Sequence, residues 1–438
     1  MIPPAERHAV APGVPVVFFS AYFGRGVSGA FRQERLVRKL LAQGHPVTVV
    51  RARSVASADV LTFSDLAQCE AWLESTRHST PPATTVSVGV LAPLLRRVKH
   101  ALLMDLVGSG LPGMYRAGRA LSRAAGSQSL ACVASSPPFA CALAAFLVAG
   151  ARSDRRLVVD MRDAWAEHSR IYFWRGLRRW VESRVLGRAE MVSTVSRYLA
   201  EEFATRRGAA VDVLYNCDTQ TQVHAIATAP ATVPRAATDV VSIVYVGSLP
   251  DGFYDLGAFV EGVAALGREA PDALRRLHFT FIGTGDALHR LVAQRSELAG
   301  VFSFEPPVPH AKAVEAMRAA DAVLFFGFDA PRNAGVVSTK IFEYFELGVP
   351  IVALGVREES DLEWLFVQLC GEAPRVRTPE EIARELRRAV HASASLPRVR
   401  AREKLADLEA EYGRVLARLS APAAPTASRA PQSAGSVS

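Results

Sequence analysis

The sequence predicts an α/β protein made of two doubly wound parallel-sheet domains. Three observations carry that reading. Short apolar runs of strand length alternate with helix-length stretches through most of the 438 residues, the pattern of parallel strands joined by crossover helices. The alternation breaks once, at the Ala/Thr/Pro-rich text "TQTQVHAIATAPATVPRAATD", and then restarts. Half the residues are hydrophobic and 21% are charged, enough apolar material for two cores at roughly 100–200 residues per domain.

The first half opens with "VPVVFFS", a buried strand. "FRQERLVRKLLAQG" follows with Leu36, Leu40 and Leu41 at helical spacing and a stop at Gly44. "HPVTVVRAR" completes a β-α-β unit. "LACVASS" and "PPFACALAAFLVAGA" give a further strand and helix, with prolines at the helix start. "RRLVVDMRD" is a strand ending in charge, and "EMVSTVS" and "VDVLYN" are short strands. The second half supplies five more apolar strands: "VSIVYVGSL", "LHFTFIGTG", "VFSFEPPV", "DAVLFFG" and "VPIVALG". Helical text closes the chain with "EEIARELRRAV" and "RVRAREKLADLEAEYGRVLARL", before the low-complexity "APAAPTASRAPQSAGSVS". The resulting division is a domain over 1–218, a linker over 219–240, a second domain over 241–418 and a disordered tail over 419–438. Ligands of such sheets bind at the carboxyl ends of the strands.

Charge separates the halves. Up to Asp218 there are 28 Lys+Arg against 17 Asp+Glu, and the rest holds 23 against 26. The basic half suits an anionic membrane surface or a phosphorylated acceptor. "IYFWRGLRRWVESRVLGR" sets Phe173, Trp174 and Trp180 among Arg175, Arg178, Arg179, Arg184 and Arg188, and "LAPLLRRVKHALLMDLV" is similar. Such basic, aromatic helices fit a membrane interface. No nucleic-acid motif accompanies the charge, so nucleic acid is not an expected partner. The five cysteines are scattered without CxxC spacing, so neither a zinc site nor a disulfide framework is indicated, and Cys132 and Cys141 lie in apolar text. The N-terminus has no signal-peptide pattern, and the longest apolar stretch, about a dozen residues, is too short to span a bilayer. The expectation is a cytoplasmic protein, able to sit on the inner face of the cell membrane.

Gly24-x-Gly26-x-x-Gly29 has the outline of a dinucleotide fingerprint. Two details count against it. Ala21, Tyr22 and Phe23 separate the strand from the first glycine, and Arg51 and Arg53 stand where an acidic ribose ligand is expected. An NADP enzyme is the reading those arginines leave open. A glycine loop at a helix start can approach any phosphate through its N–H groups.

"STKIFEYFELGVPIVAL" is the most informative stretch. Ser338 reads as an N-cap, Lys340 falls in the first helical turn and Glu343 one turn on, with Gly348 and Pro350 as the stop. A lysine beside free helix N–H groups makes an anion site for a diphosphate. Glu343 can accept hydrogen bonds from two ribose hydroxyls. In "DMRDAW", Asp160, Arg162 and Asp163 end a strand and are candidates to orient an acceptor hydroxyl or take its proton. His168 lies nearby. No metal-binding constellation is present, so no metal or cofactor is expected.

These stretches together resemble family 4 glycosyltransferases of bacterial polysaccharide type. "STKIFEYFELGVPIVAL" looks like their donor-binding helix, and "ASSPPFACALAA" and "LVVDMRDAWAEHS" resemble their "SSPPF" and "D-x-R-D-x-W" stretches. "VYVGSLPDGFYDLGAFVEGVAAL", "FTFIGTGDALHRL", "AEMVSTVSRYLAEEF" and "VDVLYNCD" match in the same order, over roughly residues 14–385. The resemblance implies the GT-B fold, two Rossmann-like domains facing across a cleft, the first binding the acceptor and the second a nucleotide sugar. It implies transfer of a sugar from a nucleotide diphosphate sugar to a hydroxyl acceptor, lipid-linked if the basic half serves it, with retention.

Carried over residue by residue, Glu343 would hold the ribose, and Lys340 with the Ser338 and Thr339 backbone the diphosphate. Gly247, Ser248, Gly283 and Gly285 would line the donor cleft, and Gly26, Ser28 and Gly29 would close over the phosphates. The family often carries two glutamates seven residues apart. Here the first position is Gly335, and "GSLPDGFYDL" lacks the usual Arg and Lys. Lys340, or Arg332 nearby, is then the main source of charge for the diphosphate. The departures make a non-catalytic binding subunit an alternative, beside a sugar-nucleotide epimerase of the same fold.

Overall fold

The computed structural model describes residues 13–25, 28–54, 56–77, 110–167, 175–217, 239–250, 252–328, 335–392 and 395–420. The expected linker and the far C-terminal text lie almost wholly outside them, as do Gly26, His168, Phe173, Trp174, Arg332 and the "LAPLLRRVKHALLMDLV" stretch.

The first sheet runs in the order β3-β2-β1-β4-β5-β6-β7. Its strands are β1 (Val16–Ser20), β2 (Val47–Ala52), β3 (Ala58–Phe63), β4 (Leu130–Ser136), β5 (Arg155–Met161), β6 (Met191–Thr194) and β7 (Asp212–Val213). All residues of β1, β4 and β5 are buried, as expected for central parallel strands covered on both faces. Their crossovers include α1 (Ser28–Ala42), α2 (Leu66–Arg77), α3 (Leu111–Ala124), α4 (Phe139–Ala149), α5 (Arg175–Arg188) and α6 (Arg197–Arg207). The dozen-residue apolar stretch is α4, whose Phe139, Cys141, Ala144, Ala145 and Val148 are buried. β3 is a departure from the sequence reading. It pairs antiparallel to β2 at the sheet edge with mostly partial burial, and a half-wet edge strand lacks the continuous apolar run that marked the others.

The second sheet is wholly parallel in the order β10-β9-β8-β11-β12, a doubly wound arrangement. Its strands are β8 (Val241–Val246), β9 (Leu277–Ile282), β10 (Phe302–Glu305), β11 (Ala322–Phe326) and β12 (Ile351–Leu354), the five read from sequence. The helices are α7 (Leu256–Glu269), α8 (Pro271–Arg275), α9 (Asp286–Ala293), α10 (His310–Ala319), α11 (Thr339–Leu347), α12 (Asp361–Cys370), α13 (Pro379–Ala392) and α14 (Arg402–Ala417). The core is aromatic: Phe259 meets Phe279 edge-on at 5.5 Å, and Phe279 stacks on Phe302 at 5.1 Å. The fully buried rings of Phe259 and Phe279 each contribute about 1.5–3 kcal/mol of burial.

The described residues fall into two compact units. One takes residues up to Val159, Arg188–Glu190, and the chain from Gly413 onward; the other takes Asp160–Gly187 and Met191–Tyr412. In the first unit the returning C-terminal segment is tied by polar contacts. Gln43 donates to the Gly413 carbonyl at 2.7 Å, and Arg156 donates to the carbonyls of Arg418 (2.9 Å) and Leu419. Leu419 is fully buried. In the second unit Asp361, 4% exposed, accepts from the Arg197 N–H (2.7 Å), the Tyr198 N–H (3.1 Å) and the Tyr215 hydroxyl (2.5 Å). A carboxylate at the start of one helix thus caps another.

Candidate functional site

The site forms at the carboxyl ends of β8 and β9 and the start of α11. Val246 of β8 pairs in register with Ile282 of β9, so Gly247 and Gly283 follow side by side. The ladder runs on past the strands: Gly247 N–H donates to the Ile282 carbonyl at 2.8 Å, and Leu249 N–H to Thr284 at 3.2 Å. Gly247 (φ 107°) and Gly283 (φ 74°) take left-handed backbone, which glycine adopts without steric cost. At Gly247 the space is needed as well. A Cβ there would stand 2.6 Å from Lys340 Cε.

Lys340 lies across that bare backbone. α11 buries Ile341, Phe342, Tyr344 and Phe345, which leaves Lys340 and Glu343 together on its other side, one turn apart. Lys340 Nζ donates to the Tyr245 hydroxyl at 2.8 Å and to the Ser248 carbonyl at 3.4 Å, 4.7 Å from the Tyr245 ring centre. It has no ion pair among the described residues. Burial lowers its pKa to about 8, against the opposing pull of Glu343. The helix N-terminus has no side-chain cap, for the Ser338 hydroxyl makes no capping bond and Thr339 is exposed. Its first N–H groups and the positive end of the macrodipole therefore carry no side-chain cap from Ser338.

Glu343 has a partner the sequence reading missed. His310, first residue of α10, places Nε2 2.6 Å from Glu343 Oε1. That hydrogen bond is the main cause that raises the imidazole pKa above its ordinary value. The available signal was positional: "PPVPH" ends a strand-to-helix loop at the carboxyl end of a parallel strand. Tyr245 was missed for a different reason, since it reads as an ordinary core aromatic. Gly285 (φ 76°) has open space around its missing Cβ, and Gly283 faces Pro307 at 3.5 Å.

The remaining sequence candidates stand elsewhere. Asp160, on β5, is 1% exposed and accepts from the Ser193 hydroxyl at 2.8 Å. Arg162 and Asp163 follow it half-buried on a bend. Ser28 and Gly29 open α1 in the first unit. In the preceding loop, Gly24 (φ 69°) is required by packing, since a Cβ would meet Trp72 at 2.5 Å. The loop's donors up to Arg25 are used internally. Phe23 N–H bonds Ser20 Oγ at 2.9 Å, and Gly24 N–H bonds Glu34 at 3.2 Å. Arg51 is held by Asp59 at 2.8 Å and by the Phe23 carbonyl, so the arginine that kept a 2′-phosphate open already has two partners.

The basic helix α5 is similarly engaged. Arg175 and Arg179 pair with Glu167, Arg178 is buried over the Trp165 ring, and Arg188 donates to the carbonyls of Gly150, Arg152 and Arg155. Leu177, Trp180 and Arg184 remain exposed. No described helix is long and apolar enough to cross a membrane. All five cysteines are buried, and none is in a disulfide.

The N-terminal domain of a trehalose-6-phosphate phosphatase from Candida albicans has a similar structure. The TM-score is 0.52 at 10% identity, over 92% of this chain and 93% of that one. The fold is GT-B. A sucrose-phosphate synthase from Thermosynechococcus elongatus is similar at TM-score 0.49 and 13% identity, over 93% of this chain and 95% of that one. MnaA of S. aureus, solved with UDP, is similar at 0.43 and 11%, over 93% and 95%. No protein-family model and no curated protein matches the chain. At 10% identity the likeness to the phosphatase domain is one of fold alone, and strands β8 to β12 lie in Rossmann-like order.

Gly335 occupies the position where the resemblance leads one to expect a carboxylate. It is buried, and a Cβ on it would lie 2.7 Å from Leu199 Cγ and 2.9 Å from Tyr198 Cδ1. Apolar and aromatic carbon fills the space beside it.

Proposed function

We propose that the chain binds a nucleoside diphosphate sugar at the start of α11 and transfers the sugar to a hydroxyl acceptor. The observation that carries the reading is Lys340: a half-buried cation with no ion pair among the described residues, laid over Gly247 beside a helix N-terminus without a side-chain cap. That arrangement suits a diphosphate, whose charge meets both the ammonium and the helix N–H groups. Glu343, one turn further on, suits the ribose. During transfer the leaving diphosphate gains negative charge, and a preorganised cation and N–H groups stabilise that charge where it develops. By the family resemblance, the transfer retains the anomeric configuration, and Asp160, Arg162 and Asp163 are the candidates to handle the acceptor.

Calorimetric titration with UDP, GDP, ADP and their sugars tests the donor half of this reading. Low-micromolar binding of one nucleotide, weakened at least ten-fold by Lys340→Ala or Glu343→Ala, is the expected result. Failure of every nucleotide to bind the folded wild-type chain would overturn it.

A second reading has its own observation. The crowded, carbon-lined position of Gly335 favours a donor-binding subunit that does not transfer. Release of nucleoside diphosphate from the bound donor, measured with and without hydroxyl acceptors, separates the two. Tight binding with no release under any condition selects the second.

A further inference from the structure

We propose that His310 is the positioning residue through which Glu343 recognises a ribose, so that the 2′-hydroxyl of the nucleotide is read by the His310–Glu343 pair. The inference rests on the nucleotide-binding reading above. Its basis is the 2.6 Å contact between Nε2 and Glu343 Oε1, made by residues of two different strand-loop-helix units. His310 opens α10, directly after Pro309 in extended backbone, and Glu343 lies on α11, whose apolar side is anchored in the core. A contact between two anchored helices fixes the carboxylate laterally. Without it, a glutamate side chain on a helix surface samples several rotamers.

The geometry leaves the carboxylate available. A carboxylate offers about four lone-pair sites. The imidazole takes one on Oε1, and Oε2 has no partner among the described residues. Two vicinal hydroxyls can therefore still donate to it. Lys340 and Glu343 are three residues apart, a rise of about 4.5 Å along the helix, so one side of α11 presents a cation and then an oriented anion. That order matches the polarity of a nucleotide, from diphosphate to ribose. Either tautomer or protonation state with a proton on Nε2 maintains the contact.

A ribose analogue lacking one hydroxyl leaves an oriented carboxylate oxygen unpaired, which is where discrimination arises. The test is a binding panel of UDP, GDP and ADP, their 2′-deoxy counterparts and inorganic pyrophosphate, on wild type, His310→Ala and His310→Gln. The wild type should prefer the ribonucleotide by about ten-fold. His310→Ala should reduce the preference to within about two-fold while pyrophosphate binding stays unchanged. His310→Gln, whose amide can donate in place of Nε2, should restore much of it. A full ribose preference in His310→Ala overturns the inference, as does parallel loss of pyrophosphate binding, which would mark a general structural role. Wild-type nucleotide binding with no ribose preference overturns it while leaving the nucleotide site standing. No nucleotide binding at all overturns both.

Discussion

Gly335 packs against Leu199 so closely that a single methyl group on the glycine would stand 2.7 Å from the leucine Cγ. Gly335→Ala should therefore destabilise the protein by about 1–3 kcal/mol, the usual cost of overpacking. Gly335→Glu should cost more, since its carboxylate starts among apolar and aromatic carbon. Urea denaturation of the three proteins checks this. A Gly335→Glu protein of wild-type stability would mean that the space opens more readily than this packing allows.

Lys340 makes anion binding depend on pH. Its folded pKa, about 8, lies below the ordinary lysine value of 10.5. Below about pH 8 the amine is charged in both folded and unfolded chains, and the cost of burying the charge is present. Between about 8 and 10.5 the unfolded chain binds more protons, so that cost is progressively relieved as pH rises. A bound diphosphate reverses the preference and recruits the proton. Diphosphate affinity should be highest below pH 8 and fall above it. At pH 9 binding should take up a proton, seen as a calorimetric enthalpy that changes with the ionisation heat of the buffer. Lys340→Met should abolish that buffer dependence.

Gly247→Ala combines two penalties. The backbone sits at φ 107° and the new methyl meets the Lys340 stem at 2.6 Å. The strained backbone should cost about 1–3 kcal/mol in thermal or denaturant unfolding. Because the lysine end is flexible, it should move aside rather than break the fold, and pyrophosphate binding should weaken as well. Unaltered pyrophosphate affinity would show that Lys340 does not need its seat on this glycine.

The strand pattern and the turn residues of the second sheet were legible in the sequence. All five strands of the second sheet were found, and Gly247 and Gly283 follow the ends of β8 and β9 while Lys340 and Glu343 lie on α11. Three kinds of feature were not legible. β3 was hidden because an edge strand exposed on one side lacks a continuous apolar run. His310 was hidden because its partner lies 33 residues away in sequence and on another helix. The packing of Gly24 under Trp72 was hidden because a glycine needed for close approach and a glycine needed for a phosphate look alike in sequence.

Asp361 should be among the most sensitive polar positions. Asp361→Ala strands two N–H groups at the start of α6 and the buried Tyr215 hydroxyl. A loss of about 3 kcal/mol is expected, in line with removal of a buried, charge-assisted hub. Tyr215→Phe removes one of the three bonds and should cost about 1 kcal/mol. The double variant should lose less than the sum, because both changes break the same bond.

The tie between Arg156 and the carbonyls of Arg418 and Leu419 has a consequence for the order of synthesis. A ribosome delivers the strands of the first unit early, but the segment from Gly413 that completes it emerges only after the intervening second unit. At about 5–20 residues per second, that wait is on the order of tens of seconds. Until then Arg156, 3% exposed in the folded protein, is without the Arg418 and Leu419 carbonyls that it meets there beside Glu190 (2.6 Å). The first unit is thus completed only when the segment from Gly413 to Ser420 has been made.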